Sequence, residues 1–274
     1  MRTMKRRIFS GMVCEQYVYN VSDGVKNLSH YDPERIKKER FVDEAAYEKH
    51  KENISRRRHA RIFNAAFSPT SLYSTLTCDN AHEIHTFEEA RRIGDNYRRR
   101  LMRACPNGYA HIYMGRGTST NRIHFHMVSE GIPEEVIIKK WKEGEINRID
   151  NLREHNFYDK KDCGQDYAGL ANYLFDHWTP EQGGHRWMRM GNIPKPDYEE
   201  PTEVHICGGY SSSRPPVPPK GYTLTITQTV TAPEGYTLVD TGKTKYGFYY
   251  FKYVKLPPKK KPGRPPKKPD QAPV

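Results

Sequence analysis

The chain has 274 residues, five cysteines and a formal net charge of +12, from 45 lysines and arginines against 33 aspartates and glutamates. An odd number of cysteines without a Cys-x-x-Cys pair excludes a disulfide framework and a thiolate zinc site, and no apolar run approaches the roughly 18 residues of a membrane span. The basic first residues lack the apolar core of a signal peptide, so we expect a cytoplasmic protein. The positive charge favours a polyanionic partner, DNA or RNA.

Residues 1–60 are rich in charge and contain too few apolar positions to close a core of their own. We predict a basic N-terminal arm with one helix near 33–58. Mixed charge at helical spacing is typical of a solvated helix face. The best candidates for DNA contact in this arm are the consecutive Arg56, Arg57 and Arg58.

Residues 61–182 have the hydrophobic periodicity of one α+β domain. Thr86 followed by Glu89 is a capping-box pattern that predicts the start of a helix, and a glycine-rich turn between two β-like runs predicts an antiparallel hairpin. In chain order we predict a strand over 72–77, a helix over 86–105, hairpin strands over 109–114 and 123–128, a helix from 133 to about 144, a short strand over 145–149 and a helix over 166–178. This order predicts an α+β fold with helices packed on a mostly antiparallel sheet.

Residues 183–256 have short β-like patterns that predict a β-rich accessory region. We expect a linker over 211–219, and 221–227, which is closely echoed by 235–241, should add a strand or β-ribbon. Residues 257–274 are rich in proline and lysine and predict a disordered tail. Its candidate DNA contacts act either as an AT-hook in a narrow minor groove or as a non-specific polycation; they are Lys259, Lys260, Lys261, Arg264, Lys267 and Lys268.

Two histidines separated by one apolar residue mark the second hairpin strand. Because successive side chains of a strand point to opposite faces, His124 and His126 leave the same face while Ile123, Phe125 and Met127 fill the other. Two imidazoles held side by side make half a metal site. A third ligand is needed, and the candidates are His111, Asp79 and Glu83, although His111 taken alone also fits an ordinary surface histidine.

The helix predicted over 166–178 carries two tyrosines with different surroundings. Asp166 is a suitable N-cap, and at about 100° per residue Leu170, Leu174, Phe175 and Trp178 form one apolar stripe. Tyr167 lies within that stripe and is expected to be structural. Tyr173 projects away from it, beside His177, and is therefore the candidate nucleophile.

These features, in this order, resemble the HUH endonucleases, the rolling-circle replication initiators and relaxases. The resemblance covers about residues 60–255 and rests on the strand over 71–77, the His-Phe-His strand and the tyrosine helix. It is closest to the replication-associated proteins of Gram-positive plasmids and integrative elements, related to the filamentous-phage gene II type. It implies an enzyme that nicks and religates single-stranded DNA through a covalent 5′-phosphotyrosine on Tyr173, with Mg²⁺ or Mn²⁺ held by His124 and His126. The implied partners are a single-stranded or hairpin origin and a host helicase.

One position departs from this family. Many members carry a lysine three residues after the tyrosine, where this chain has Asp176. The difference is compatible with weaker catalysis, with a subfamily that lacks the lysine, or with another cation, Lys160, Lys161 or Arg186, that holds the phosphate in its place. Alternatively, the protein is a non-catalytic DNA-binding regulator derived from such an enzyme. A zinc hydrolase is disfavoured because no carboxylate stands beside the histidine pair in a hydrolase motif.

A glycine-rich segment precedes the histidine strand, at Gly115, Arg116 and Gly117. Such a segment can cradle a phosphate, but a simple hairpin turn is the favoured interpretation.

Overall fold

A computed structural model describes residues 2–21, 44–80, 84–117, 122–177, 185–205, 210, 214–230 and 248–256. Within these ranges the chain forms four helices and mostly antiparallel sheets, which confirms the predicted α+β class. The helices are α1 (Glu44–Ala66), α2 (Phe87–Ala104), α3 (Glu134–Lys140) and α4 (Ala168–Asp176). None of the helices in the described ranges is long and apolar enough to span a membrane.

The strands form two larger sheets and one small hairpin. In chain order they are β1 (Arg2–Ser10), β2 (Val13–Val21), β3 (Leu72–Thr77), β4 (Tyr109–Arg116), β5 (Ile123–Glu130), β6 (Ile146–Asn151), β7 (Phe157–Tyr158), β8 (Lys161–Asp162), β9 (Trp187–Met190), β10 (Asp197–Tyr198), β11 (Thr202–Glu203), β12 (Thr223–Val230) and β13 (Phe248–Val254).

The histidine strand β5 lies at the centre of a five-stranded antiparallel sheet with the order β6-β3-β5-β4-β9. On one face Phe125 and Met127 are fully buried beneath α2 and α3, and each buried side chain of this size stabilises the fold by about 1.5–3 kcal/mol. On the other face α1 and α4 pack through Phe63 and Leu174 against Val128. Helices therefore cover both faces, and the predicted alternation of β5 is confirmed.

The predicted capping box starts α2. The Thr86 hydroxyl accepts a hydrogen bond from the Glu89 amide at 3.2 Å, and the Glu89 carboxylate accepts one from the Thr86 amide at 3.2 Å. The β4–β5 hairpin and strands β3 and β6 also occur where they were predicted. Helix α3 is shorter than predicted and ends at Lys140 rather than near 144.

The N-terminal segment differs from the predicted arm. Strands β1 and β2 form a hairpin within a second sheet, in which β2 pairs with β13 and β13 pairs with β12. The hairpin alone cannot close a core, but Cys14 and Val18 are buried against Phe251 and Tyr253 from the other end of the chain. Pairing over such a sequence distance leaves no local signal in the sequence. The helix predicted near 33–58 is found as α1, which continues to Ala66.

The second sheet is joined to the elements around the histidine face by buried ion pairs. Glu15 of β2 pairs with Arg61 of α1, and Lys252 of β13 lies 2.5 Å from Asp166, which precedes α4. Asp166 was predicted as the N-cap, but Tyr167 occupies that position. The Asp166 carboxylate nevertheless accepts a hydrogen bond from the Ala168 amide at 3.1 Å, so it still satisfies one free amide of the first turn.

Several predicted features lie outside the described residues. These are the echoed segment 235–241, the tail 257–274 with its six candidate cations, Trp178 and Glu83.

Candidate metal centre and nucleophile

His124 and His126 project from the same face of β5, and their Nε2 atoms lie 2.9 Å apart. The strand alternation alone accounts for this placement. Two nitrogens that each bind one ion at about 2.1 Å, at right angles to each other, lie about 3 Å apart. The pair thus has the separation that chelation of a single ion requires.

The third member of the cluster is His177, directly after α4. Ligand atoms of His124, His126 and His177 all lie within 4.8 Å of one another. The His177 Nδ1 is 2.8 Å from the carbonyl oxygen of Tyr173.

The third ligand was expected elsewhere. His111 is on the histidine face but pairs in register with Val128, two residues beyond His126, and is fully buried. Asp79 is exposed and does not belong to the cluster. Glu83 lies outside the described residues. Within the part of the chain that the structure describes, the third histidine of the cluster is His177, and neither His111 nor Asp79 belongs to it.

Further polar groups orient the imidazoles. The Tyr73 hydroxyl lies 2.7 Å from His126 Nδ1, and Thr75 Oγ1 lies 3.4 Å from the same atom. His124 forms a hydrogen bond with the backbone of Arg122. Partners of this kind fix the ring and the tautomer of histidine ligands and raise their basicity.

The two histidines on β5 are in the protonation state that binds a cation. Burial, together with the neighbouring His124 and His177, lowers the pKa of His126 to about 3. Burial also lowers the pKa of His124, against the opposing effect of its hydrogen bond to Arg122. Both rings are therefore neutral near pH 7, which is the form that binds metal ions. The cluster can hold a metal ion.

Tyr173 stands beside this cluster and is open to solvent. Its side chain is 51% exposed, and its ring centroid is 4.3 Å from that of His177 and 6.0 Å from that of His126. Tyr167 is 2% exposed and packs in the core with Phe63. The predicted division between a buried and an accessible tyrosine is confirmed.

The absence of a side chain at Gly115 leaves room for the imidazole of His177. A Cβ atom on Gly115 would lie 2.6 Å from Cδ2 of His177 and 3.4 Å from Nε2 of His124. Gly115 and Arg116 belong to strand β4 rather than to the turn, and the amide of Gly117 donates to the carbonyl of Arg122 at 2.9 Å. Sequence reasoning treated this glycine as part of a turn or a phosphate cradle and missed its contact with the histidines.

Asp176, three residues after Tyr173, connects α4 to α1. Its Oδ1 accepts a hydrogen bond from Arg56 of α1 at 2.6 Å, and the Arg56 guanidinium also lies over the Phe175 ring. The hydrogen bond to Arg56 lowers the pKa of Asp176. This residue joins the C-terminal end of the tyrosine helix to α1.

The three consecutive arginines of α1 point to different places, because each step along a helix turns by about 100°. Arg56 contacts Asp176, Arg57 is exposed near Tyr17 and Arg61, and Arg58 is exposed on the side of Trp187. They do not form one cluster. Their contact with DNA stays a prediction.

Two of the alternative phosphate ligands have other contacts. The Lys161 ammonium donates to the carbonyl oxygens of Leu224 and Thr225 at 2.9 Å each. Arg186 donates to the carbonyl oxygen of Phe175 at 3.3 Å. Of these two, Arg186 is the one that reaches α4.

A second, fully enclosed polar group lies under α1 and was missed in the sequence. His59 Nε2 and His111 Nδ1 lie 2.7 Å and 3.1 Å from the Tyr113 hydroxyl. Burial lowers the pKa of His59 to about 4 and that of His111 to about 3. All three side chains are buried, so we assign this group a structural role.

Comparison with known proteins adds no relative: no protein-family model, curated protein or solved structure matches the chain.

Proposed function

We propose that this protein is a metal-dependent endonuclease that nicks and religates single-stranded DNA through Tyr173. The observation that carries the proposal is the position of an exposed tyrosine in ring contact with two of three clustered histidines. Cleavage of a phosphodiester by a tyrosine requires a nucleophile close to a bound cation. Here the tyrosine and the candidate cation site lie on adjacent elements of the fold.

The fold is consistent with an HUH-type domain of a rolling-circle replication initiator. Support comes from the central place of the His-Phe-His strand in an antiparallel sheet and from the tyrosine helix packed on the histidine face. The origin of a plasmid, phage or integrative element would be its substrate, and a host helicase its partner.

The donor set bears on the metal ion. Three imidazole nitrogens suit Mn²⁺ better than Mg²⁺, which prefers oxygen ligands. The bound ion would polarise a non-bridging phosphate oxygen and offset its developing negative charge. His124, His126 and His177 would hold it.

The reaction exchanges one phosphate ester for another. The Tyr173 oxygen loses its proton and bonds to the phosphorus, the bond from phosphorus to the 3′ oxygen breaks, and the 3′ hydroxyl leaves after taking up a proton. The bond energy is kept in the 5′-phosphotyrosine, so attack by the 3′ hydroxyl reverses the step and religates the strand.

Asp176 favoured the alternative of a non-catalytic DNA-binding regulator. Its ion pair with Arg56 offers another reason for an acidic residue at this position, since the pair holds α4 against α1. The two functions differ in one measurable product, the covalent adduct.

The test uses a pool of single-stranded oligonucleotides that tile the DNA around the gene, each labelled at its 3′ end, with Mn²⁺. The fragment downstream of the nick keeps the label and attaches to the protein, so a labelled protein band is expected and should vanish with chelator. Tyr173→Phe should abolish the band. Tyr158→Phe is the control: Tyr158 is 64% exposed and lies on β7, so this variant should keep the band. An adduct that persists in Tyr173→Phe, or full cleavage in chelator, would overturn the proposal.

A further inference from the structure

A cleft of about 700 Å³ opens at the outer edge of β9, between α1 and α2. Since β9 is the edge strand of its sheet, helices from opposite faces both border this cleft. Arginines outnumber carboxylates in its lining by five to one, with Asp95 as the acidic residue. The arginines are Arg58, Arg91, Arg98, Arg186 and Arg189.

The charge of this lining selects for an anion. Arg98 pairs with Asp95 at 3.1 Å and donates to the carbonyl of Arg189, and Glu52 outside the lining lies 3.8 Å from Arg186. These contacts hold guanidinium groups in fixed positions. A planar, preorganised guanidinium group can donate two parallel hydrogen bonds to the oxygens of one phosphate.

The cleft is connected to the metal cluster through α4. The Arg186 guanidinium lies 3.9 Å from the centroid of the Phe175 ring and donates to the Phe175 carbonyl. Phe175 is two residues from His177. A DNA strand bound at the cluster would therefore lie beside a positively charged surface.

The lining also contains an indole. Trp187 packs at 4.3 Å from His59, centroid to centroid, and carries the Arg189 guanidinium at 5.8 Å from its ring. Cationic groups that follow a backbone, interleaved with aromatic rings, are the usual composition of sites for single-stranded nucleic acid. A cavity of this volume has the size of a site for one small ligand, which favours a single strand over a duplex.

We infer that this arginine cleft binds the sugar-phosphate backbone of single-stranded DNA beside the phosphate that Tyr173 attacks. The identity of the strand rests on the proposed function, whereas the affinity of the cleft for a single-stranded polyanion does not. Arg58 and Arg189 are exposed, so both are open to phosphate from solvent.

The experiment measures fluorescence anisotropy of a labelled oligothymidylate with the full chain, in chelator, over a series of salt concentrations. Arg58→Gln/Arg189→Gln should weaken binding about 100-fold, as expected for two charge-assisted contacts of about 10-fold each. It should also reduce the salt slope by about 1.4, at about 0.7 per phosphate contact on a single strand. A matched control, Arg92→Gln/Arg99→Gln, removes two exposed arginines of α2 that do not line the cleft.

Equal weakening in both double variants would overturn the inference, because loss of net charge alone would explain it. Unchanged affinity in Arg58→Gln/Arg189→Gln would overturn it as well, as would an equal loss of duplex binding. Circular dichroism and melting temperature identify a misfolded variant, and the single variant Arg58→Gln then decides, with about a 10-fold loss expected. Selective loss of oligothymidylate binding in a protein that forms no adduct would support the cleft and reject the nicking function.

Discussion

Replacement of Gly115 by alanine tests whether the three histidines act as one metal site. The new Cβ would lie 2.6 Å from Cδ2 of His177, whereas ordinary contact begins near 3.4 Å. The imidazole must therefore withdraw by about 0.8 Å, and it can do so because it is a side chain at the end of a helix. Its 2.8 Å hydrogen bond to the Tyr173 carbonyl would be strained or lost.

A displacement of this size matters for a metal ligand, since coordination distances tolerate only about 0.2 Å. We expect the affinity for Mn²⁺ to fall about 10- to 100-fold, the range seen when the support of a ligand is removed. This corresponds to about 1.4–2.7 kcal/mol. Stability without metal should change little, because the ring moves toward solvent rather than into the core.

Isothermal titration calorimetry with Mn²⁺, and with Zn²⁺ as a second probe, measures this affinity. Gly169→Ala is the matched control: it lies on α4, a Cβ there meets nothing within 4 Å, and alanine should stabilise the helix by about 0.5–1 kcal/mol. If Gly115→Ala binds Mn²⁺ as tightly as the unmodified protein, His177 is not a ligand and the site is smaller than the geometry indicates.

Three further substitutions and one change of pH have defined outcomes. His126→Ala should abolish Mn²⁺ binding in calorimetry but leave single-stranded DNA binding in anisotropy, because affinity comes mainly from phosphate contacts; a retained metal site would contradict the assignment. Tyr173→Phe should keep the fold and the metal affinity but lose the covalent adduct. Tyr167→Phe should change the free energy of unfolding by less than about 1 kcal/mol, because the Tyr167 hydroxyl has no hydrogen-bond partner in the described structure. Stability should fall as the pH drops from 6.5 toward 4, because the pKa values of His59 and His111 in the folded state, about 4 and about 3, lie below their ordinary value of 6.5 and the unfolded chain takes up the protons first. Each should cost about 2 kcal/mol at pH 5, and equal urea midpoints at pH 5 and pH 7 would refute this.

Features with a local cause were predictable from the sequence. The capping box of α2, the alternation of β5 and the division between Tyr167 and Tyr173 each depend on residues within one or two turns of a helix or one strand. The Thr-x-x-Glu pattern specifies the capping box, and the periods of 2 and 3.6 residues specify the other two features. The α+β class follows from the order of such elements.

Features that depend on packing between distant segments were not predictable in this way. Alternation correctly placed His111 on the face of His126, but the hairpin register puts it opposite Val128 and beneath α1. His177 belongs to no periodic pattern that marks a ligand, since it follows the last residue of α4. Only the docking of that helix brings it to the strand.

The same reasoning explains why a second sheet, remote from the metal cluster, bears on its geometry. Helix α4 has nine residues, fewer than the roughly 12 that a helix needs to be even marginally stable in water. Its position comes from the burial of Leu174 and Phe175 and from ion pairs at its two ends. Lys252 of the second sheet pairs with Asp166 before its first turn, and Arg56 of α1 pairs with Asp176 in its last. Tyr173 lies between these two pairs, so β13 and α1 both help to fix where the phenol stands relative to the histidines. The acidic residue at position 176 thus contributes to this positioning, whereas a lysine there would repel Arg56.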